Sequence, residues 1–399
     1  MKANTLPTQY SLESAIRKGL YTVFLMFVFF PYLQIIPTDT DMQPNALFLA
    51  IVLFFTFKNK FRYSDFLLGL LFAYSILMLL IGSVDFTALR SLFNYTSLFF
   101  ISYTSFRVLL SRRINIDFFL KFSILVWFFV AVVQTLIYPS FLTFLVSASR
   151  TTEDRGVTGL APEPTFFGVV FIFFIIYLLH LKTQNKKKYI ALCVIGIILL
   201  AKSSMAALFL IILIAFRLLV DMNLRLVCWF LIILILSFFL ISVSLQDSRI
   251  GFLLNQLLEN PSNLLLVDAS INDRFFHVFF SLKGFVTGYF MPHGYSAWIP
   301  YVTEQISNHS DVVIVEWFSL GGRIMSGYGS AFYELGFLAL LIPSVLFFSL
   351  RRLYKHDLRK FLFFFGFVNL IMFSAIPIGF QLFAFYIGYI NFLAVRNEV

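Results

Sequence analysis

The chain has 399 residues, of which 60% are hydrophobic and only 13% charged. This composition leaves too little polar surface for a soluble globular protein and indicates a helical membrane protein with many spans. The formal net charge of +10 does not predict a nucleic-acid partner, because the basic residues are distributed in the pattern of a membrane topology.

Apolar segments of membrane-spanning length recur along the whole chain, and they predict an all-α polytopic fold with about 12 transmembrane helices. We interpret residues 1–399 as a single integral membrane domain. The predicted spans cover residues 20–36, 44–57, 64–82, 89–107, 117–138, 165–181, 189–201, 204–220, 226–245, 330–350, 361–376 and 379–395.

The connections that follow the even-numbered spans hold most of the lysines and arginines. The positive-inside rule places these connections, and with them both termini, in the cytoplasm. The two longest connections, residues 139–164 and 246–329, lie on the opposite side together with most of the acidic residues. Within the longer one, residues 251–259 and 274–285 have apolar residues at helical spacing, and we expect both segments to lie along the membrane interface.

The connection over residues 139–164 ends in a polar turn, and a strongly apolar helix follows it. The sequence from Arg155 to Gly168 reads RGVTGLAPEPTFFG. Its first two glycines permit tight turns, and its two prolines limit the backbone around Glu163. Pro164 can begin a helix without losing a hydrogen bond, so Glu163 is predicted at a helix N-terminus, where the dipole stabilises negative charge. Two interpretations stay open: a carboxylate that caps the helix, or one that acts on a substrate.

Several cations lie in or near the two long connections, on a side that otherwise has few of them. A guanidinium group can bind phosphate with two parallel hydrogen bonds, so a subset of these residues is predicted to bind an anionic head group. Salt bridges with nearby carboxylates are the alternative for any single one. Arg155 and Arg274 are the preferred pair, because each directly precedes a segment with an ordered pattern. The candidate binding residues are Arg150, Arg155, Lys202, Arg249, Arg274 and Arg323.

Two loop histidines, His293 and His309, can act as bases near neutral pH, and with Glu163 they form the set of candidate catalytic residues. Asp39 and Asp41 lie between the first two spans and could hold a divalent ion against a diphosphate. Pro37 and Pro44 flank this short connection, and such a connection also favours aspartate as a turn residue, which is the preferred interpretation. No set of side chains has the spacing of a metal site, and no metal or cofactor is predicted.

Three motifs together resemble the Wzy-type polymerases of bacterial O-antigen and exopolysaccharide. RGVTGLAPEPTFFG resembles that family's Arg…Gly-Leu-x-x-Glu-Pro-Ser/Thr loop. AKSSMAALFL, from Ala201, resembles the Ser-rich start of the span that follows, and SGYGSAFYELGFLALL, from Ser326, resembles the helix after the large outer loop. The predicted layout is similar to the family's over nearly the full chain.

The resemblance implies a GT-C-like fold and a glycosyltransferase of the bacterial inner membrane with its active site facing the periplasm. Such an enzyme polymerises undecaprenyl-diphosphate-linked oligosaccharide repeat units into O-antigen or a related surface polysaccharide. It would need no metal, because arginines neutralise the leaving diphosphate while one base activates the acceptor hydroxyl. The implied partners are these lipid-linked oligosaccharides, membrane lipids and a co-polymerase that regulates chain length.

Two other functions stay open. The related O-antigen ligases transfer glycan to lipid A-core, and they carry a His-Asn pair before the Glu-x-Gly of the last motif. Here Glu334 and Gly336 are present, but Met325 and Ser326 stand at the positions of the pair, which favours a polymerase. A lipid-linked oligosaccharide flippase is less favoured, since transporters usually place ionisable groups within their spans and keep their outer loops short.

Overall fold

The computed structural model describes residues 7–35, 40–57, 61–82, 84–147, 149–151, 156–181, 183–221, 256, 259–260, 264–320, 323–374 and 376–398. Within these ranges the chain is helical, and its only β-type pairing is an isolated bridge between Leu33 and Val146. The all-α class is therefore confirmed for the part of the chain that the structure describes.

The helices before residue 222 are α1 (Pro7–Phe29), α2 (Asn45–Thr56), α3 (Tyr63–Ile81), α4 (Phe86–Leu110), α5 (Ile116–Leu136), α6 (Pro164–His180), α7 (Lys186–Ile195) and α8 (Ser204–Asp221). A π-helical turn, Gly196–Ala201, follows α7 directly. The later helices are α9 (Leu264–Val267), α10 (Ala269–Thr287), α11 (Trp298–Asn308), α12 (Gly327–Leu335), α13 (Leu341–Leu353), α14 (Leu358–Met372) and α15 (Gln381–Glu398).

Among the described residues, three helices are long and apolar enough to cross a membrane: Tyr63–Ile81, Ile116–Leu136 and the stretch Gly327–Leu353, which contains α12 and α13. Shorter apolar helices cover Asn45–Thr56, Pro164–His180 and Ser204–Val220. These helices indicate a membrane protein, but they do not establish the predicted total of spans. The predicted ninth span, residues 226–245, lies outside the described residues.

Helix α5 shows how such a helix divides its surface. Its exposed apolar side chains recur three or four residues apart, at Phe118, Phe122, Leu125 and Phe129. The polar side chain of Gln134 lies on the buried face instead. This arrangement is the reverse of a soluble helix, and it is expected where the outer surface meets lipid and polar groups find partners inside the protein.

The chain divides into two compact units, each discontinuous in sequence. The first unit comprises Met1–Asp65, Ser97–Leu210 and Phe380–Val399, and the second comprises Phe66–Thr96 and Ile211–Gly379. The prediction of one integral membrane domain stays a prediction.

Helix α6 forms the core of the first unit. Its side chains are buried on every face over residues 164–178, so it has no amphipathic stripe. The ring of Phe167 stacks on Trp127 of α5 with centroids 5.8 Å apart. The hydroxyl of Tyr177 donates a hydrogen bond to the carbonyl of Leu382 in α15. Neighbours from distant parts of the sequence therefore enclose this helix.

The second unit has a core where α10, α11 and α12 meet. Phe276 and Phe280 of α10, Trp298 of α11 and Tyr333 of α12 belong to one buried cluster. The predicted helical segment 274–285 is confirmed as part of α10. Its most buried face packs against protein in this cluster, so that face is not available to lie on a membrane. The other predicted interfacial segment, residues 251–259, lies largely outside the described residues.

Candidate functional site

The loop that precedes α6 makes the tight turns that its glycines predict. Gly159 has a positive φ of 60°, a conformation that favours glycine. Gly156 has no room for a side chain, because an added Cβ would lie 1.9 Å from the carbonyl oxygen of Leu200. The amide of Val157 donates to the same carbonyl over 2.9 Å. The backbone of the loop therefore packs directly against the backbone of the π-helical turn.

A buried glutamine of α5 holds the loop from a second direction. The side-chain carbonyl of Gln134 accepts a hydrogen bond from the amide of Gly159 over 2.7 Å, and its NH₂ group donates to the Gly159 carbonyl over 2.9 Å. The same NH₂ group donates to the carbonyl of Phe141 over 2.8 Å. Gln134 thus joins the start of this connection to its end, and a satisfied buried amide of this kind fixes the backbone around it.

Glu163 occupies the N-cap position of α6, and Pro164 begins the helix as predicted. The Glu163 backbone is extended, with φ −139° and ψ 152°, and its side chain accepts no capping hydrogen bond. Glu163 therefore lies at the cap position without making a capping hydrogen bond, and its action on a substrate stays a prediction. Instead, Oε1 of Glu163 lies 3.1 Å from Nη2 of Arg150.

Arg150 joins two carboxylates through one nitrogen. Its Nη2 also lies 2.8 Å from Oδ1 of Asp41. The backbone amide of Arg150 donates to the carbonyl of Pro162 over 2.7 Å, which holds the arginine beside the turn that carries Glu163. The side chain of Arg150 is 52% exposed, and that of Glu163 is 22% exposed. Ion pairs this open to water contribute little stability. For Arg150 the structure thus shows the salt bridges that were the alternative to phosphate binding.

The structure describes Asp41 of the two candidate metal ligands. The sequence offered Asp39 and Asp41 as ligands for a divalent ion, whereas the described partner of the Asp41 carboxylate is a guanidinium group. Asp39 lies outside the described residues. Asp41 reaches Arg150 because the two connections lie side by side: the amide of Gln34 donates to the carbonyl of Leu145 over 2.8 Å, next to the isolated bridge.

Lys202 follows the π-helical turn with a left-handed backbone (φ 46°) and an exposed side chain. The hydroxyl of the next residue, Ser203, donates to the hydroxyl of Thr165 over 3.2 Å. The Ser-rich segment is thereby joined to the first turn of α6, two residues after Glu163. The backbone at Lys202 therefore lies near the first turn of α6.

A second carboxylate is buried in the second unit. Glu334 of α12 is 7% exposed, and its two oxygens accept hydrogen bonds from Ser91 over 2.8 Å and Tyr95 over 2.6 Å. Two residues later, Gly336 has a positive φ of 61° and closely approaches the Phe290 carbonyl, which leaves no space for a Cβ. An ionisable residue inside an apolar helix indicates a functional or structural role, and Glu334 could have been recognised in this way. In the sequence, however, it was considered only as part of the family motif.

The two candidate histidines also belong to the second unit. His293 stacks on Tyr333 with ring centroids 4.4 Å apart. Burial lowers the pKa of His293, against a smaller opposing effect of the Tyr333 backbone, so its ring is neutral near neutral pH. The Nδ1 atom of His309 lies 2.8 Å from the carbonyl of Gln305, which assigns the proton to that nitrogen and leaves Nε2 as the acceptor.

The remaining candidate cations are divided between the second unit and the residues that the structure does not describe. Arg274 lies half-buried in α10. Arg323 is half-buried shortly before α12, with Nη2 3.9 Å from the sulfur of Met325. Arg155 and Arg249 lie outside the described residues. Of the predicted site residues, Arg150 and Glu163 are thus in direct contact, and the backbone of Lys202 lies near the same helix start.

No protein-family model matches the chain, and a search of curated proteins found no match. The function must therefore be argued from the residues of the site.

Proposed function

We propose that the chain is a membrane glycosyltransferase that polymerises undecaprenyl-diphosphate-linked oligosaccharide repeat units at the periplasmic face of the bacterial inner membrane. The observation that supports this most is the state of Glu163. Its carboxylate is held between two prolines at a helix entrance, makes no capping hydrogen bond and lies beside an arginine. A glycosyl transfer of this kind needs one group to activate the acceptor hydroxyl and cations to neutralise the leaving diphosphate.

In this proposal Glu163 accepts the proton of the acceptor hydroxyl while the new glycosidic bond forms. The bond between the donor sugar and the diphosphate breaks, and undecaprenyl diphosphate leaves with the bonding electrons. Arg150 orients the Glu163 carboxylate, and its exposed side chain can also contact a phosphate oxygen. Arg155 and Lys202, which belong to the same unit as Glu163, are the other proposed diphosphate-binding residues. Arg249, Arg274 and Arg323 belong to the second unit, and their role in binding stays a prediction.

The proposal includes twelve spans in a GT-C-like arrangement, with both termini in the cytoplasm. A polymerase is preferred over a ligase because Ser326 has a structural role in this chain. Its hydroxyl accepts a hydrogen bond from the amide of Gly329 over 2.9 Å and so caps α12. A residue used in this way supplies no base at the position where ligases carry their His-Asn pair.

Replacing Glu163 tests the proposal directly. Glu163→Gln keeps the shape and an acceptor oxygen but cannot take up a proton, so we expect transfer to fall by a factor on the order of 10² to 10⁴. The measurement is the length distribution of surface glycan in cells that contain matched amounts of membrane-inserted protein.

Asp41→Asn is the matched control. It removes the other carboxylate that Arg150 contacts and leaves Glu163 in place, so we expect a normal glycan ladder. A normal ladder in Glu163→Gln would disprove the base role and transfer that role to His309 or His293. Equal loss in both variants would show that the charge cluster acts on loop structure alone. Supplying lipid A-core instead of a lipid-linked repeat unit as acceptor in vitro distinguishes a ligase.

A further inference from the structure

The connection between α10 and α11, in the second unit, exposes a group of apolar side chains that the proposed transfer reaction does not use. We call Tyr289, Phe290 and Met291 the apolar tip; their side chains are 86%, 51% and 60% exposed. The run of residues 284–303 that contains them has no aspartate, glutamate, lysine or arginine. Three consecutive exposed apolar side chains are unfavourable in water, so the tip is expected to contact an apolar partner.

The backbone of the apolar tip is held in a conformation that its residues do not favour. Tyr289 and Phe290 both have left-handed backbones, with φ of 55° and 63°, and bulky residues rarely adopt this conformation. The amide of Tyr289 donates to the Val286 carbonyl over 3.1 Å, and that of Phe290 donates to the Phe285 carbonyl over 2.9 Å. Strain of this kind persists only where the surroundings fix it, and it clusters at functional positions. The exposed side chains therefore project from a fixed turn.

The backbone amides of the apolar tip are all paired within the protein. Like the amides of the two residues before it, that of Met291 has an acceptor, the carbonyl of Gly288 at 3.1 Å. Pro292 has no amide hydrogen, and the amide of His293 donates to the carbonyl of Tyr333 in α12 over 3.1 Å. Non-helical backbone enters a membrane only where its polar groups find partners in the protein. The amides of the tip meet this condition.

The apolar tip also packs against a stretch that is long and apolar enough to cross a membrane. The amide of Phe337 donates to the carbonyl of Phe290 over 2.9 Å. Gly336 lies so close to this carbonyl that an added Cβ would be 2.6 Å from its oxygen. Both residues belong to the stretch Gly327–Leu353. Phe337 lies seven residues inside the predicted span 330–350, or about 10 Å at the rise of a helix. A bilayer that contains this span therefore extends to the level of the tip.

We propose that the apolar tip inserts into the nearer leaflet of the bilayer and contacts lipid acyl chains beside α12. The proposal goes beyond the transfer reaction and does not depend on it. The side chains of Phe290 and Met291 suit the acyl chains, and the ring of Tyr289 carries a hydroxyl that suits the boundary with the head groups. The connection from α10 to α11 is then re-entrant, because it enters and leaves the membrane on the same side.

The test measures the position of a spin label at the tip relative to the bilayer. The full-length chain, with Cys193 and Cys228 replaced by alanine, receives one new cysteine and a nitroxide label. It is then reconstituted into vesicles of phosphatidylethanolamine and phosphatidylglycerol. Paramagnetic resonance compares collisions of the label with oxygen, which concentrates in lipid, and with a nickel chelate, which stays in water.

Met291→Cys is the test variant, because Met291 is exposed and its φ is not positive. Glu304→Cys, at an exposed charged position of α11, is the reference for water. Phe122→Cys, on the exposed apolar face of α5, is the reference for lipid. We expect the ratio of oxygen to nickel collisions for Met291→Cys to exceed that for Glu304→Cys severalfold and to approach that for Phe122→Cys.

Two results would overturn the proposal. A ratio for Met291→Cys equal to that for Glu304→Cys would place the tip in water, where it is free to bind another protein. Low collision rates with both reagents would show that another segment of protein covers the tip. If Met291→Cys does not unfold at the temperature of the cysteine-free chain, Tyr289→Cys takes its place, with the same expected and contrary results.

Discussion

Arg150 contacts Asp41 and Glu163 through the same nitrogen, so the two carboxylate oxygens lie no more than 5.9 Å apart. Two negative charges at this distance repel each other once the guanidinium is removed. The effect is limited because all three side chains are partly exposed to solvent.

A double replacement measures this repulsion. We expect Arg150→Gln to lower the thermal unfolding temperature slightly, with more effect at low than at high salt. Adding Asp41→Asn should recover most of that loss, and the coupling should be below about 1 kcal/mol. The ion-pair description would be contradicted if the effect of Arg150→Gln on the unfolding temperature did not depend on salt. It would also be contradicted if the double variant did not recover the lost unfolding temperature.

The burial of His293 predicts that the stability of the folded chain depends on pH. Burial lowers its pKa, and no described residue accepts a hydrogen bond from its Nδ1. The unfolded chain therefore takes up a proton at higher pH than the folded chain does. The stability that comes from the neutral ring is complete above the ordinary pKa of about 6.5 and is lost as the pH falls through the lower folded value.

His293→Phe keeps an aromatic ring on Tyr333 but does not titrate. We expect the wild-type unfolding temperature to fall more steeply than that of the variant between about pH 6.5 and pH 5. The two proteins should differ least in pH sensitivity above pH 7. Parallel curves over the acid range would exclude this histidine as the group responsible.

At the scale of elements, the start of α6 was predictable and its surroundings were not. Pro164 and the glycines have local conformational preferences, and local preferences can be recognised in a sequence. The contact between Arg150 and Asp41 joins residues 109 positions apart, and Gln134 lies within an apolar run that is typical of any span. The partners of both residues depend on tertiary packing, which no local pattern encodes.

Gly156 tests the attachment of this loop to the π-helical turn. Gly156→Ala would place Cβ against the backbone of Leu200, so the loop must move away. We expect a loss of about 1–3 kcal/mol, as for other overpacked sites, together with loss of transfer activity. Gly19→Ala is the control, because no atom lies within 4 Å of its added Cβ and it lies inside α1. That variant should be neutral or slightly stabilised. A silent Gly156→Ala would show that the loop is not packed in this way.

For the whole molecule, apolar segment length predicted the helical class, whereas the division into two units could not be foreseen. Each unit is assembled from separate stretches of the chain. The hydropathy of a segment indicates whether it lies in an apolar environment, but it does not indicate which other segments pack against it. Glu334 illustrates the same limit. Its partners Ser91 and Tyr95 lie more than two hundred residues earlier, so a buried polar group in α12 cannot be matched to them from sequence.

Topology is the prediction at this scale. The distribution of lysine and arginine places Lys187 in the cytoplasm and Glu304 in the periplasm. Reporter fusions at these two positions should show cytoplasmic activity at the first and periplasmic activity at the second. The reverse result at either position would require a different number of spans between them and would invalidate the proposed periplasmic site.

The enclosure of α6 has a consequence for biosynthesis. Tyr177 donates a hydrogen bond to Leu382, and Phe173 packs edge-to-face on Phe380. Both partners lie at or next to the start of α15. The ribosome adds roughly 200 residues between the end of α6 and the start of α15, which takes on the order of 10 to 40 s. The first unit therefore cannot be completed before α15 has been synthesised. A stalled or prematurely terminated chain would leave α6 without its final neighbour, in a state that membrane insertases must shelter or quality-control proteases can recognise.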